Sequence, residues 1–100
     1  MVRGGAVYIM TNVHHTVLYT GVTSNLVARV QQHKNKFHPS SFTAKYNANK
    51  LVYFKGFPSI VEAIAEEKRI KGGSRKQKLD LIHSINPEWK DLWDEEVSKW

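Results

Sequence analysis

The chain has 100 residues, a formal net charge of +6 and a hydrophobic fraction of 41%. This is enough apolar material for one compact core, which argues against intrinsic disorder. The longest unbroken apolar runs, residues 6–10 and 51–54, are too short for a signal peptide or for a membrane-spanning helix of roughly 20 residues. The absence of cysteine excludes disulfides and thiolate nucleophiles and suits the cytoplasm. We therefore expect one cytoplasmic domain over residues 1–100.

The charged residues are divided unevenly along the chain. Residues 1–61 contain seven basic residues and no acidic residue, whereas residues 79–100 contain two basic and six acidic residues. Such asymmetry indicates a polyanionic partner for the first three quarters of the chain, although a basic composition can also serve solubility alone. No strongly amphipathic basic helix with aromatic anchors is evident, so a nucleic acid is favoured over a membrane surface.

The order of the predicted elements indicates an α+β fold. Runs of β-branched and aromatic residues predict strands at residues 5–11, 17–22 and 50–56, of which the first two form a hairpin. Capping side chains and helical periodicity predict helices at about residues 25–36, 59–71 and 74–85, and a short helix or turn at residues 42–46. A last helix is predicted to begin at Pro87, with Asn86 as its N-cap and with Trp89, Leu92 and Trp93 as its docking face.

The helix predicted at residues 59–71 carries an acid on its apolar face. Three isoleucines and an alanine recur there at helical spacing, and Glu67 falls among them. A buried carboxylate is costly unless it is protonated, paired or bound to a cation. Two alternatives remain open at this point. Glu67 either serves a functional site or lies at the edge of the apolar face, paired with Lys68, Lys71 or an arginine.

The first predicted helix also mixes polar and apolar residues on one face. His33 lies on the face formed by Leu26, Val30 and Phe37, and Arg29 lies one turn before His33. Arginine and histidine four residues apart project to the same side of a helix, where they can contact a phosphate. Such a pair is also typical of a solvated helix flank.

Two tyrosines occupy the centres of the hairpin strands. Tyr8 and Tyr19 are either ordinary sheet residues or phenols that donate to a phosphate oxygen or, if their pKa falls, act as a base. Gly21 follows Tyr19 by two residues and permits close approach of the backbone to a ligand.

In this order, these residues resemble the GIY-YIG endonuclease superfamily. The segments 6–8 (Ala-Val-Tyr) and 19–21 (Tyr-Thr-Gly) stand where the family has its two signature tripeptides. Arg29 with His33 looks like the first helix of the family, and Glu67 stands in the helix that carries the family's acid. The segment 86–92 (Asn-Pro-Glu-Trp-Lys-Asp-Leu) is similar to small stand-alone bacterial members, which are related to the excinuclease nuclease domain. The resemblance covers nearly the whole chain.

The resemblance implies a GIY-YIG-type α/β sandwich with a three-stranded antiparallel sheet. It also implies metal-dependent hydrolysis of DNA phosphodiesters, structure-selective and acting in DNA repair or recombination. Glu67 would be the sole protein ligand of one Mg²⁺ or Mn²⁺ ion. Tyr8 would position or deprotonate the attacking water, with its pKa lowered by a nearby cation, and Arg29 would stabilise the phosphate charge. Tyr19 and His33 would bond the phosphate or orient Tyr8.

The remaining expectations concern support residues and partners. Gly21 and Asn86 are expected to support the site. We expect DNA, no membrane and no organic cofactor as partners, and a monomer or weak homodimer. The residues expected to contact DNA are Lys34, Lys36, Lys45, Lys71 and Arg75.

Two other functions are weighed against the nuclease. Glu66 stands where small members commonly have arginine, and Val22 stands where excinuclease members often have lysine. These departures are compatible with a nucleic-acid-binding module of the same fold that is catalytically weak or inactive. A protein-interaction domain that uses the acidic C-terminal segment is the other alternative, based on Trp89, Trp93 and Trp100, although clustered tryptophans more often pack onto their own domain.

Overall fold

The computed structural model describes residues 4–100 and shows an antiparallel sheet with helices on both faces. The strands are β1 (Gly5–Thr11), β2 (Leu18–Thr23) and β3 (Lys50–Phe57), in the order β2-β1-β3. Both neighbours of β1 run antiparallel to it. The α+β class and the three-stranded antiparallel sheet are therefore confirmed.

The helices follow the predicted order closely. They begin where a polar side chain accepts a hydrogen bond from a backbone amide of the first turn, at Asn25, Ser41, Ser59, Ser74 and Asp91. At Ser74, the predicted capping box with Gln77 is complete. Within residues 4–100 the helices are α1 (Leu26–Lys34), α2 (Phe42–Lys45), α3 (Ile60–Lys71), α4 (Arg75–Ile85) and α5 (Leu92–Glu95), followed by a 3₁₀ turn (Val97–Lys99).

The central strand β1 separates two apolar cores. Its alternate residues point to opposite faces of the sheet, and every residue of the strand is buried. Tyr8 and Met10 join the core that packs against α1, whereas Val7 and Ile9 join the core beneath α3 and α4. The alternation therefore places the Tyr8 side chain on the same side of the sheet as α1.

Two of the predicted apolar helix faces include residues that are not buried. Phe37 was expected on the apolar face of α1, but the helix ends at Lys34 and the Phe37 side chain is 65% exposed. On α3, Ala63 and Ile70 are buried, whereas Ile60 and Ile64 are only partly covered. The small sheet is too narrow to cover the full width of the apolar stripe of a 12-residue helix.

The prediction that Asn86 begins the last helix is also wrong. Asn86 ends α4, and α5 begins only at Leu92, with Asp91 as its N-cap. The Asn86 side chain is buried and donates to the carbonyls of Val52 at 3.2 Å and Lys90 at 2.8 Å. Its Oδ1 accepts the Lys90 amide at 3.0 Å. The segment 87–90 therefore folds around this amide as a turn, which prevents a helix from starting at Pro87.

The three tryptophans pack onto this domain. Trp93 lies against the core on the α1 side, and Trp89 stacks on the His15 ring with the centroids 4.3 Å apart. The Trp100 ring meets Phe54 edge-on at 5.4 Å. This packing removes the main observation behind the protein-interaction alternative. No described helix is long and apolar enough to cross a membrane.

Asn86→Ala should destabilise the fold, because it leaves three backbone groups, one of them buried, without their side-chain partner. We expect the free energy of unfolding to fall by about 2 kcal/mol, measured by urea denaturation. Asn49→Ala, at an exposed position, is the control and should change stability by less than about 0.5 kcal/mol. Equal midpoints for the two variants would show that the Asn86 amide does not stabilise the turn.

Candidate active site

The Tyr8 phenol is buried, and its oxygen lies 2.7 Å from Nε2 of His33. Burial raises the pKa of Tyr8 well above its ordinary value, and the neighbouring Tyr19 raises it further. The positive charge of the Arg29 guanidinium lowers this pKa. Arg29 thus makes the lowering contribution expected of a nearby cation, but burial outweighs it. Tyr8 is a neutral phenol in this state.

His33 is held at both ring nitrogens. Nε2 faces Tyr8, and Nδ1 lies 2.8 Å from Thr43 Oγ1 on α2. Burial lowers the pKa of His33 to about 4, and the positive charges of Arg29 and His38 contribute to the shift. The imidazole is therefore neutral near pH 7, with one nitrogen that donates and one that accepts. This geometry matches the expectation that His33 orients Tyr8.

Tyr19 completes an aromatic cluster around this hydrogen bond. Its ring centroid lies 6.3 Å from that of Tyr8 and 5.4 Å from that of His33. Phe42, on α2, stacks on the outer side of Tyr19 at 6.0 Å and is itself 41% exposed. Tyr46 lies beside Phe42 at 4.7 Å. The aromatic cluster therefore extends from the buried phenol to the surface.

A cavity of about 240 Å³ lies beside the cluster. Arg29 is an exposed residue at its wall, so a charged donor faces the space next to the His33 ring. The cavity is lined by Tyr19, Arg29, Gln32, His33, His38, Ser41 and Thr43. A space of this size with a guanidinium and an imidazole is suited to an anionic group such as a phosphate.

Glu67 lies on the side of α3 that faces the tyrosines. Its side chain is only 13% exposed, and its Oε2 lies 2.8 Å from Lys71 Nζ. The same ammonium lies 6.0 Å from the ring centroid of Tyr19, and the Glu67 charge contributes to the raised pKa of Tyr8. The structure thus shows the pairing with Lys71 and also places the acid near the cluster. No group of three or more metal-binding His, Asp or Glu side chains occurs within residues 4–100.

Glu66 points to a different neighbourhood from Glu67. Arg69 donates to both of its oxygens, at 2.7 and 2.6 Å. These hydrogen bonds hold the pKa of Glu66 below its ordinary value, and the positive charge of Lys55 adds to the effect. Glu66 also raises the pKa of Tyr53 on β3, although burial is the main cause of that shift. Glu66, which stands where small members of the family commonly have arginine, therefore has its own counter-charge on the β3 side of α3.

Gly21 is needed because the Tyr8 ring occupies the space above it. A Cβ at this position would overlap with Cζ and Oη of Tyr8. The sequence predicted close approach of a ligand at Gly21, whereas the structure shows close approach of the phenol itself. The glycine thus positions Tyr8. The Asn86 side chain stabilises the 87–90 turn and is not part of the aromatic cluster.

The five basic residues expected to contact DNA differ in their surroundings. Lys34 is paired with Asp91 at 2.6 Å and ties α1 to the C-terminal segment. Lys71 is paired with Glu67, and Arg75 donates to backbone carbonyls of the hairpin turn. Lys36 and Lys45 are exposed on either side of the 37–44 segment that contributes to the cavity wall. For these two lysines, contact with DNA stays a prediction.

The sequence analysis did not identify Ser41, Phe42 and Thr43 as site residues. Pro39 and the two following serines predicted a short helix here, but no periodic pattern indicates which face of so short a helix meets another element. The contact with His33 spans ten residues of sequence. It depends on how the 35–41 loop folds back onto α1.

Gly21→Ala should displace the Tyr8 phenol from His33, because the added methyl group needs the same space. We expect a loss of about 1–3 kcal/mol in the free energy of unfolding, measured by urea denaturation. Gly72→Ala is the matched control, since its Cβ would meet its nearest atom, the Lys68 carbonyl oxygen, at an ordinary 3.4 Å. Equal stability of the two variants would contradict the proposed role of Gly21.

Comparisons with known proteins identify the family of this chain. The family model described as the GIY-YIG catalytic domain matches residues 4–80. A UPF0213 protein of Clostridium perfringens is 43% identical over 67 residues, which cover 67% of this chain and 71% of the relative. A UPF0213 protein of Staphylococcus haemolyticus is 42% identical over 65 residues, which cover 65% of this chain and 78% of the relative.

The fold has a solved counterpart among the same small proteins. The solution structure of a UPF0213 protein from Bacillus halodurans is similar with a TM-score of 0.56 and 26% sequence identity. The match covers 87% of this chain and 90% of that structure. The chain therefore belongs to the GIY-YIG family, a nuclease family, as a small member similar to the UPF0213 proteins.

Proposed function

We propose that the protein is a metal-dependent endonuclease that hydrolyses DNA phosphodiester bonds. The observation that carries this proposal is that Arg29 and His33 line one cavity and Tyr8 is hydrogen-bonded to His33, with the charge of the Glu67 carboxylate contributing to the pKa of Tyr8. Membership of a nuclease family and the basic first three quarters of the chain support DNA as the substrate. We further propose that residues 1–100 form a single nuclease domain, a monomer or weak homodimer in the cytoplasm.

Each side chain of the site has a role in the proposed reaction that follows from its chemistry. Tyr8 accepts a proton from the attacking water as its own hydroxyl proton passes to His33 Nε2, which also holds the phenol in position through the 2.7 Å hydrogen bond. Arg29 donates to the phosphate oxygens, on which negative charge develops in the transition state. Tyr19 lines the same cavity and donates its hydroxyl to the phosphate.

The residues present fit a single divalent ion. Mg²⁺ keeps most of its waters and is bound through one or two carboxylates together with substrate phosphates, so the shielded Glu67 carboxylate suffices as protein ligand. The ion, Mg²⁺ or Mn²⁺, would stabilise the negative charge on the leaving oxygen. Lys71, which pairs with Glu67 at 2.8 Å, holds this carboxylate in place on the tyrosine side of α3.

The glutamate at position 66, where small members of the family commonly have arginine, is compatible with activity. Arg69 neutralises Glu66 on the β3 side of α3, so the additional acid does not place an unpaired negative charge beside the phosphate. This observation favours an active enzyme over the inactive binding module of the same fold.

We also propose that the enzyme selects DNA with unpaired bases, such as flaps or branches, in repair or recombination. Phe42 and Tyr46 present exposed aromatic surface next to the cavity, and Lys45 lies between them in the sequence. Exposed aromatic rings next to cations stack unpaired bases without reading their sequence. A domain of this size offers little further surface for base-specific contacts.

Glu67→Ala should abolish Mg²⁺- and Mn²⁺-dependent cleavage, because it removes the proposed protein ligand of the ion. We expect a rate loss of at least about 100-fold on a labelled panel of nicked, flapped and branched DNA. DNA affinity, measured in EDTA, should be retained. Glu66→Gln is the matched control and should cleave within about threefold of wild type.

Equal cleavage by wild type and Glu67→Ala would refute the assignment. Salt-sensitive binding by wild type, without cleavage of any DNA in Mn²⁺, would support the binding module instead.

Phe42→Ala should reduce cleavage of flapped DNA more than cleavage of nicked duplex, because only the flap offers an unpaired base for stacking. We expect a loss of about 1 kcal/mol in flap binding, measured by fluorescence anisotropy in EDTA. Phe37→Ala removes another exposed phenylalanine, on the other side of the loop, and serves as the control. A uniform loss on all DNA structures would contradict selection by stacking.

A further inference from the structure

Four hydrogen-bonding side chains form a continuous row from the buried phenol to the cavity. The Tyr8 oxygen lies 2.7 Å from His33 Nε2, and His33 Nδ1 lies 2.8 Å from Thr43 Oγ1. Thr43 Oγ1 lies 3.2 Å from Ser41 Oγ. Thr43 is buried, whereas Ser41 is only partly covered, and both line the cavity. The row therefore connects a group inside the protein with the solvent side of the cavity.

The hydrogen bonds of this row have a defined direction. His33 Nε2 is the only hydrogen-bond partner of the Tyr8 hydroxyl among residues 4–100, so we assign the phenol proton to this bond. A neutral imidazole that accepts at Nε2 carries its proton at Nδ1 and donates it to Thr43. The Thr43 hydroxyl then donates to Ser41 Oγ. Each group in the row therefore receives one hydrogen bond from the preceding group and donates one to the next.

We propose that Thr43 and Ser41 are positioning residues that fix the Nδ1–H tautomer of His33 and give the proton of the attacking water an exit to the cavity. This inference rests on the proposed nuclease function and extends it to residues of α2 and its N-cap. It explains why a serine and a threonine stand side by side against a histidine of α1.

The proton transfers balance along the row. The attacking water transfers a proton to Tyr8 Oη while the Tyr8 hydroxyl proton moves to His33 Nε2. The Nδ1 proton moves to Thr43, the Thr43 proton moves to Ser41, and Ser41 releases its own proton to water in the cavity. The resulting hydroxide bonds to phosphorus, the bond to the leaving oxygen breaks, and that oxygen takes a proton from solvent.

Neither a Tyr8 phenolate nor a protonated, positively charged His33 is favoured in this structure. Burial raises the pKa of Tyr8, so a phenolate is not available as a ready base. Burial also lowers the pKa of His33 to about 4, so an imidazolium is unstable near pH 7. A transfer that leaves every member of the row neutral avoids both charged states.

The direction of the row is tested by NMR of the His33 ring nitrogens in the metal-free protein. We expect the Nδ1–H tautomer in wild type, and an Nε2–H tautomer would overturn the inference. Thr43→Val should speed exchange of the Nδ1 proton with water by at least about tenfold, whereas Thr43→Ser should retain protection. Unchanged exchange in Thr43→Val would also count against it.

The catalytic consequence is tested by the same pair of variants. Thr43→Val should lower kcat by about 10- to 100-fold with KM unchanged, and Thr43→Ser should restore most of the rate. Rates in H₂O–D₂O mixtures should indicate several moving protons in wild type and fewer in Thr43→Val. Thr20→Val is the matched control, since Thr20 is equally buried and its hydroxyl has no hydrogen-bond partner among residues 4–100.

The outcomes separate the two proposals. If wild type cleaves DNA and Thr43→Val behaves like Thr20→Val, the relay is wrong and the nuclease function stands. If wild type cleaves no DNA with Mg²⁺ or Mn²⁺, the proposed function fails and the relay fails with it.

Discussion

Burial of the Tyr8 phenol between β2 and α1 is the constraint on which the candidate site depends. The ring needs a neighbour without a side chain, which Gly21 supplies, and its hydroxyl needs a partner, which His33 supplies at 2.7 Å. An unpaired hydroxyl at this depth would cost about 1–3 kcal/mol. Stability and the proposed chemistry therefore require the same hydrogen bond. The fold holds the proposed base in place before any substrate binds.

The two neighbouring acids of α3 show how the fold separates charges that are adjacent in sequence. Successive helix positions differ by about 100° in direction, so Glu66 faces β3 and Glu67 faces the tyrosines. Each has a basic partner on its own helix, Arg69 or Lys71. The glutamate that replaces arginine at position 66 is thus balanced locally. The Glu67 carboxylate, which lies near the buried Tyr8 phenol, likewise has its own counter-charge, Lys71.

The sequence predicted the elements better than their ends and junctions. Apolar alternation and capping residues indicated the strands and most helix starts, because both signals depend on neighbours a few residues apart. Asn86 and Phe37 were misplaced because their surroundings are set by distant segments. The amide of Asn86 serves Val52 and Lys90, and Phe37 lies beyond the last turn of α1.

By itself, the sequence determined the α+β class, the family resemblance and the central positions of Tyr8 and Tyr19 in the hairpin strands, since strand patterns are a local property. It also identified Glu67 as a polar exception on an apolar face. Only the tertiary structure decided that burial outweighs Arg29 in shifting the pKa of Tyr8. It also decided that Thr43 meets His33, because this contact depends on how the 35–41 loop returns α2 to α1. Desolvation and contacts of this kind depend on the packing of several elements, which no single segment encodes.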